Sequence, residues 1–506
     1  MALSCNLSSL LDSFPTTDDK LSVLQQIKVL INSTSRKELQ DDVHNISFNL
    51  IFDSLPTFNR EEMQICCDVL NSLFMALSPS SVMENYSHEL QQGLTVRNQS
   101  IQTLSLSQLK RLPSDLFEVY LAKNHQFLSC LLQLLAEDNL QIATSAASIL
   151  NKLGDCPESL QQLFHSDLHA VLDSIIKTND VVRFRVYELL VNIGNSSARN
   201  LSLVIGSGLL ENLLNELYGD SADVLAKMNC VELLTNLTTS DHGFTWLTEH
   251  KVLDCLETLL IKADSDVLLE LLQPGLITFF GSVARHRPNE ICSKYQHFLS
   301  KVLSSLNSSD MTLRTIGIET IAQIAITKNG KLILKKYGSK MDEAMKNVGQ
   351  TIQNCPEDVK VRALSAFASI LQLTAEDQND EMLALTQHWF SLISSNPFNL
   401  IFSIGQQPFP NIRLASKSIY VSLANQRWAL ELMAHHPTFI EYLLDRSTEA
   451  SSEDKRLKYK VVEALLQNSC TEEMFGSPNY LKLRLYQQQG PFYVQSQPAV
   501  TMEGDC

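Results

Sequence analysis

The chain has 506 residues, a formal net charge of −16 and an isoelectric point near 5.2, a balance that argues against nucleic-acid binding, which needs basic surface for phosphate. With 44% apolar residues it is neither disordered nor collagen-like. Its eleven cysteines form no C-x-x-C pair, as expected of free thiols in a reducing compartment.

The opening MALSCNLSSLLDSF lacks a basic stretch and a long apolar core, so no secretory signal is expected. Leu21–Ile31 and Met63–Leu77 carry helical spacing in a weak register, and residues 1–92 read as a helical cap of degenerate repeats. A faint copy of a repeating unit, TVRNQSIQTLSLSQLKRL, begins at Thr95.

From there the repeat is clear. TNDVVRFRVYELLVNIG (Thr178–Gly194) reads as a turn, a cap at Asp180 and a helix with Val182, Val186, Leu189, Leu190 and Ile193 on one face, closed by Gly194. Asp138, Asp223, Asp266, Asp310 and Asp358 open similar anchor segments, and Pro410 and Asp454 lead into two more. The period is about 43 residues, stretching to about 50 near Asp358, which is that of armadillo and HEAT arrays. A second apolar helix precedes each anchor (His125–Ala136, Leu168–Lys177, Leu209–Leu217, Val252–Ile261, Phe298–Leu306, Met341–Ile352). Short third helices are expected at Pro157–Phe164, Gly243–Glu249 and Lys331–Tyr337.

The expected fold is therefore all-α, an armadillo/HEAT-like right-handed superhelical solenoid. Residues 93–486 form the array, and 487–506 a flexible tail. One such helix cannot stand alone in water, so the units must stack. TAEDQNDE (Thr374–Glu381) and STEASSEDK (Ser447–Lys455) read as solvated connections. No apolar run spans a bilayer: Leu268–Phe280 is broken by Glu270, Gln273 and Pro274. The reading is a soluble protein of the cytoplasm, with the nucleus left open, and a monomer when free.

Chemistry-bearing motifs are missing. The sequence contains no H-E-x-x-H, no G-x-x-x-x-G-K-[ST] and no G-x-S-x-G, so neither an enzyme nor a cofactor or metal is expected. Gly206-Ser-Gly208 reads as a turn. His435-His436 has no third ligand at metal spacing. Lys328, Lys331, Lys335, Lys336 and Lys340 form a basic patch, either a solvated face or a dock for an acidic segment.

A polar row offers the better signal. In armadillo repeats the last helix of each unit lines an inner groove, with an Asn late in A-L-x-N-L facing the bound chain. Leu189-Leu-Val-Asn-Ile193 and Leu233-Leu-Thr-Asn-Leu237 resemble that motif and place Asn192 and Asn236 there. Ser282, Gln323, Ser369, Ser422 and Gln467 align with them, and Lys152 holds the position in an earlier repeat. One turn upstream, on the same face, stand Glu188, Glu232, Thr278, Glu319, Ser365, Ser418 and Glu463. The armadillo groove for nuclear-localisation peptides carries Trp at that place, and this chain does not. The glutamates would attract Lys or Arg of a partner, or simply face water.

Three stretches carry a more specific likeness: TNDVVRFRVYELL (Thr178–Leu190), QPFPNIRLASKSIYVSLANQRWA (Gln407–Ala429) and PNYLKLRLYQQQGPFYV (Pro478–Val494). With them the chain resembles the 26S proteasome non-ATPase regulatory subunit 5 family over nearly its whole length, least in the first ninety or so residues. The resemblance implies a non-enzymatic armadillo/HEAT solenoid that acts as an assembly chaperone for the base of the proteasome regulatory particle. It implies a grip on the C-terminal domain of the AAA ATPase regulatory subunit 7, in a module with regulatory subunit 4 and non-ATPase regulatory subunit 2, and release before the particle matures. A transport adaptor of the importin type and a ubiquitin-ligase scaffold are the competing readings.

Overall fold

The computed structural model describes residues 9–10, 17, 19–34, 39–40, 48, 51–52, 58–165, 167–219, 223–449 and 451–494, and among them there is no β-strand. The chain divides into two units, Met1–His250 and Lys251–Cys506. Each is an all-α array of repeats, as the periodicity requires.

Every anchor motif becomes a helix, but the caps differ in detail. Asn179, not Asp180, caps Asp180–Ser196 by accepting from the Val182 amide, and Asn139 rather than Asp138 caps Leu140–Leu150. Asp223 and Asp310 cap Val224–Leu237 and Met311–Ala325 as expected. Glu357–Leu371 starts after Pro356 with no side-chain cap, and Ser451 caps Ser452–Gln467, leaving Asp454 inside the helix. Asp266 caps only the short Val267–Glu270, because Pro274 starts a new helix, Gln273–His286. Gly194 does not close its helix, which runs on to Ser196. Leu201 of the next helix lies against it, and a Cβ there would meet the Leu201 Cδ1 at 3.1 Å.

The anchors pack side by side in chain order. In the first unit they are Arg60–Ala76, Gln99–Lys110, Leu140–Leu150, Asp180–Ser196 and Val224–Leu237. In the second they are Gln273–His286, Met311–Ala325, Glu357–Leu371, Pro410–Ala424 and Ser452–Gln467. Two further helices precede most anchors in a fixed order, for example Ala198–Gly206 and Leu209–Tyr218 before Val224–Leu237. The apolar face predicted for Asp180–Ser196 is buried: Val182, Val186, Leu189, Leu190 and Ile193 are all within the core. Burial also keeps the thiols protonated, with Cys66, Cys67, Cys230 and Cys292 pushed well above the usual range.

A second device joins the repeats. A polar side chain at or just beyond the end of one anchor reaches back to the carbonyls that end the previous one. Arg111 donates to Phe74 O and Leu77 O (2.7 and 2.9 Å), and Lys152 to Lys110 O and Leu112 O. Asn200 donates to Gly154 O at 2.7 Å, and the His242 ring meets Gly194 O at 3.2 Å. In the second unit Gln426 donates to Leu371 O (2.7 Å) and Asn468 to Ala424 O (3.3 Å). These carbonyls lie at helix ends, where the last C=O groups lack an i+4 amide, so each peg supplies a donor there; Phe74 O accepts from the Leu77 amide (3.1 Å) as well.

Two polar stretches lie deeper than their composition implies. Lys331 is buried and donates to Ala325 O, so it leaves the expected basic patch, while Lys328 is half-buried and Lys335, Lys336 and Lys340 remain exposed. Burial draws the Lys331 amine down to about 8. STEASSEDK is solvated only in part: Ser447, Thr448, Ser451, Ser452 and Glu453 are exposed, but Glu449 and Asp454 are buried against Lys417 of the preceding anchor, at 3.0 and 2.8 Å. Arg413 adds a longer contact to each carboxylate, and Tyr442 donates to Glu449 at 3.1 Å. Buried Lys458 donates to Asp445 O and to Thr448 Oγ1 (2.7 Å), and desolvation draws its amine down to about 8. Of the expected tail, 487–489 belong to the helix Thr471–Gln489, Gly490 and Tyr493 are held by Arg446, and 495–506 lie outside the described residues.

Candidate partner-binding row

In the first unit the row stands open. Glu188, Asn192, Glu232 and Asn236 are all exposed. They project from helices whose opposite faces are buried (Leu189, Leu190 and Ile193 on one, Leu233, Leu234 and Leu237 on the other). The backbone under the row is therefore rigid and the side chains are available. Lys152 has a different job: its amine is drawn onto the carbonyls ending Gln99–Lys110, and burial lowers its pKa.

The row also begins earlier than the repeat motif suggests. Arg60–Ala76 and Gln99–Lys110 present Gln64, Asp68 and Asn71 beside Ser100, Thr103 and Ser107. With Asn139 and Gln141 of the next repeat they line a polar groove of about 330 Å³. Its floor is cross-linked. Ser100 donates to Gln64 at 2.8 Å, Ser107 and Gln108 donate to Asn71 at 3.0 and 2.8 Å, and Lys28 pairs with Asp68 at 2.7 Å. Sequence reading passed over these residues because their helices lack the Asp-led signature. The signal was polar residues at spacing three and four opposite buried Met63, Cys66, Leu70 and Leu73.

In the second unit the equivalent positions are mostly turned inward or paired. Glu319 makes a two-pronged ion pair with Arg362 of the next anchor, both contacts at 2.7 Å. Ser369 and Ser422 donate to the carbonyls of Ser365 and Ser418, and Ser418 to that of Leu414. Gln323 and Ser282 are half-buried, with the Gln323 amide oxygen close over Gly281. Glu463 sits beside Tyr459, and its charge contributes to raising the phenol's pKa behind a larger effect of burial. Thr278, Ser365 and Gln467 remain exposed. Of the four row glutamates, Glu188 and Glu232 are exposed and Glu319 and Glu463 half-buried.

Among the described residues no group of His, Cys, Asp and Glu is placed to hold a metal ion. His436 packs its ring on Phe402 (4.2 Å between centroids), which lowers its pKa by burial. Gly208 adopts φ of 75° in a turn before Leu209–Tyr218, as the GxG pattern suggested. No helix among the described residues is long and apolar enough to cross a membrane.

What these features define is a helical-repeat scaffold that carries a row of exposed polar side chains on the anchor helices of its first unit. A family model described as proteasome non-ATPase 26S subunit matches residues 5–505, and by that match the chain belongs to this family. Relatives bearing the name 26S proteasome non-ATPase regulatory subunit 5 are found in Homo sapiens, 34% identical with 96% of each chain covered, and in Bos taurus, 35% identical with the same coverage. One from Mus musculus is 33% identical, with 98% of each chain covered. A crystal structure of an engineered protein aligns with 87% of this chain and 98% of its own at 13% identity and a TM-score of 0.41.

Proposed function

We propose that this protein is a non-catalytic assembly chaperone of the 26S proteasome, acting on the base of the regulatory particle. It holds the C-terminal domain of the AAA ATPase regulatory subunit 7, in a module with regulatory subunit 4 and non-ATPase regulatory subunit 2, and leaves before the particle matures. The observation that carries the reading is the open row Glu188, Asn192, Glu232 and Asn236, free on a rigid helical backing, in a chain whose relatives bear a proteasome subunit name. Many modest polar contacts give a hold that is specific in register yet reversible, because exposed charge pairs contribute little each and are screened by salt. Its place of action is the cytoplasm, with the nucleus as a second site.

The test is reconstitution. Purified protein should bind the isolated ATPase C-terminal domain and slow association of the ATPase module with the proteasome core particle. Weaker binding with Glu188→Lys plus Glu232→Lys supports the row. If the wild-type protein neither binds that domain nor slows association, the chaperone reading falls. Recovery of basic nuclear cargo or ligase subunits instead would favour an adaptor or a scaffold.

A further inference from the structure

A repeat array normally closes with a polar face. The last helix among the described residues, Thr471–Gln489, departs from this in leaving Leu481 and Leu485 exposed at 66% and 54%. The segment that follows leaves Phe492, Tyr493 and Val494 exposed as well. Leu485 and these three residues, together with Lys455 and Lys482, line an open groove of about 720 Å³.

The groove is built on a fixed floor. The Arg446 guanidinium lies 3.8 Å from the Tyr486 ring centroid and 5.5 Å from that of Tyr493. It donates to Gly490 O (2.6 Å), Tyr486 O (3.2 Å) and Gln489 Oε1 (3.3 Å), so the Pro491–Val494 wall is pinned to the helix. Arg456 stands 5.6 Å from the Phe492 ring centroid. A preformed apolar wall loses little freedom on binding.

Charge selects the occupant. In a chain of net −16 this groove is cationic: Lys455 and Lys482 have no ion-pair partner among the described residues. The one acid on its lining, Asp445, already accepts from the Ser447 amide and hydroxyl at 2.8 and 2.7 Å. A second copy of the chain docking face to face would set lysine against lysine.

We propose that this groove docks an acidic segment of a partner protein that carries large apolar side chains. Carboxylates meet Lys455 and Lys482, and the apolar side chains cover Leu485, Phe492 and Val494. The site uses none of the row residues, so it stands or falls separately from the chaperone reading.

Fluorescence anisotropy on the full-length protein tests it, with a fluorescein-labelled peptide Asp-Leu-Glu-Phe-Asp-Leu-Glu and a counterpart bearing Lys at every acidic position. The acidic probe should bind saturably, weaken with salt, and exceed the basic probe by about tenfold or more. Lys455→Glu with Lys482→Glu, and separately Leu485→Ser, should each weaken it about tenfold with unchanged circular dichroism and melting. Absence of saturable binding, equal binding of the basic probe, or unaltered binding by both variants would overturn the proposal. A chain ending at Val494 should bind the probe as the full chain does. A tenfold gain would assign the groove to the chain's own last residues instead, and a dimer abolished by Leu485→Ser would assign it to a second copy; either overturns it.

Discussion

The anchor helices of the two units follow one pattern and carry their polar residues differently. In the first unit Glu188, Asn192, Glu232 and Asn236 stand free, whereas in the second Glu319 is clamped by Arg362 and the serines bond back to their own helix. The second unit also buries ions, Lys417 between Glu449 and Asp454 with Lys458 close by. The same repeat thus leaves these four row residues open in the first unit and most of their counterparts half-buried or bonded in the second. The difference lies in whether a row residue finds a partner, on the neighbouring anchor for Glu319 and within its own helix for Ser369, Ser418 and Ser422.

The sharpest way to break this contrast is to unbalance the buried ions. Lys417→Met leaves Glu449 and Asp454 with only the longer Arg413 contacts and should cost about 3–5 kcal/mol, read as loss of stability in denaturant. Limited proteolysis should then cut the second unit before the first. A milder probe is pH. Lys331 and Lys458 have folded pKa values of about 8, below the ordinary 10.5, so the unfolded chain holds more protons between those values. These two lysines contribute a slope of stability that rises with pH from about 8 upward, by at most about 1.4 kcal/mol per pH unit each. The raised thiols Cys66, Cys67, Cys230 and Cys292 contribute the opposite slope above about pH 9. Lys331→Met with Lys458→Met should flatten the lysine slope between pH 8 and 9.5 in a series of denaturant melts.

On the open side, Glu188→Lys with Glu232→Lys should weaken capture of the ATPase domain about tenfold, close to 1.4 kcal/mol. Stability should stay within about 0.5 kcal/mol of the parent, because neither side chain is buried. Calorimetric titration beside a thermal melt separates the two effects. The smallest change is expected of Arg362→Ala, which frees Glu319. The exposed pair contributes at most about 1 kcal/mol, and the freed carboxylate should make partner binding slightly tighter and more salt-sensitive.

The array itself was readable because apolar spacing reports directly on helical faces, and the second and third helices of several repeats fall where that spacing put them. The caps shifted where two candidates adjoin, as in Asn179-Asp180 and Asp138-Asn139, since spacing cannot choose between neighbouring Asx residues. Glu449 and Lys331 were misread for a different reason. A buried charge looks like a surface one until its counter-ion or carbonyl, contributed from elsewhere in the fold, is located. Glu319 and Arg362 are 43 residues apart and meet only through the register of two anchors. The polar groove at Gln64, Asn71, Thr103 and Ser107 escaped notice because degenerate repeats lose the lead residue while keeping the face.

The backward-reaching pegs impose a direction on the molecule. Arg111, Lys152, Asn200, Gln426 and Asn468 each belong to a later repeat than the helix end they close. During synthesis, which proceeds from the N-terminus, an anchor emerges with its last carbonyls bare and is finished only when its successor has been made. Shortening the chain from its C-terminal side therefore strands acceptors that shortening from the other side leaves covered, so truncations from the two ends should differ in how well the remainder holds together.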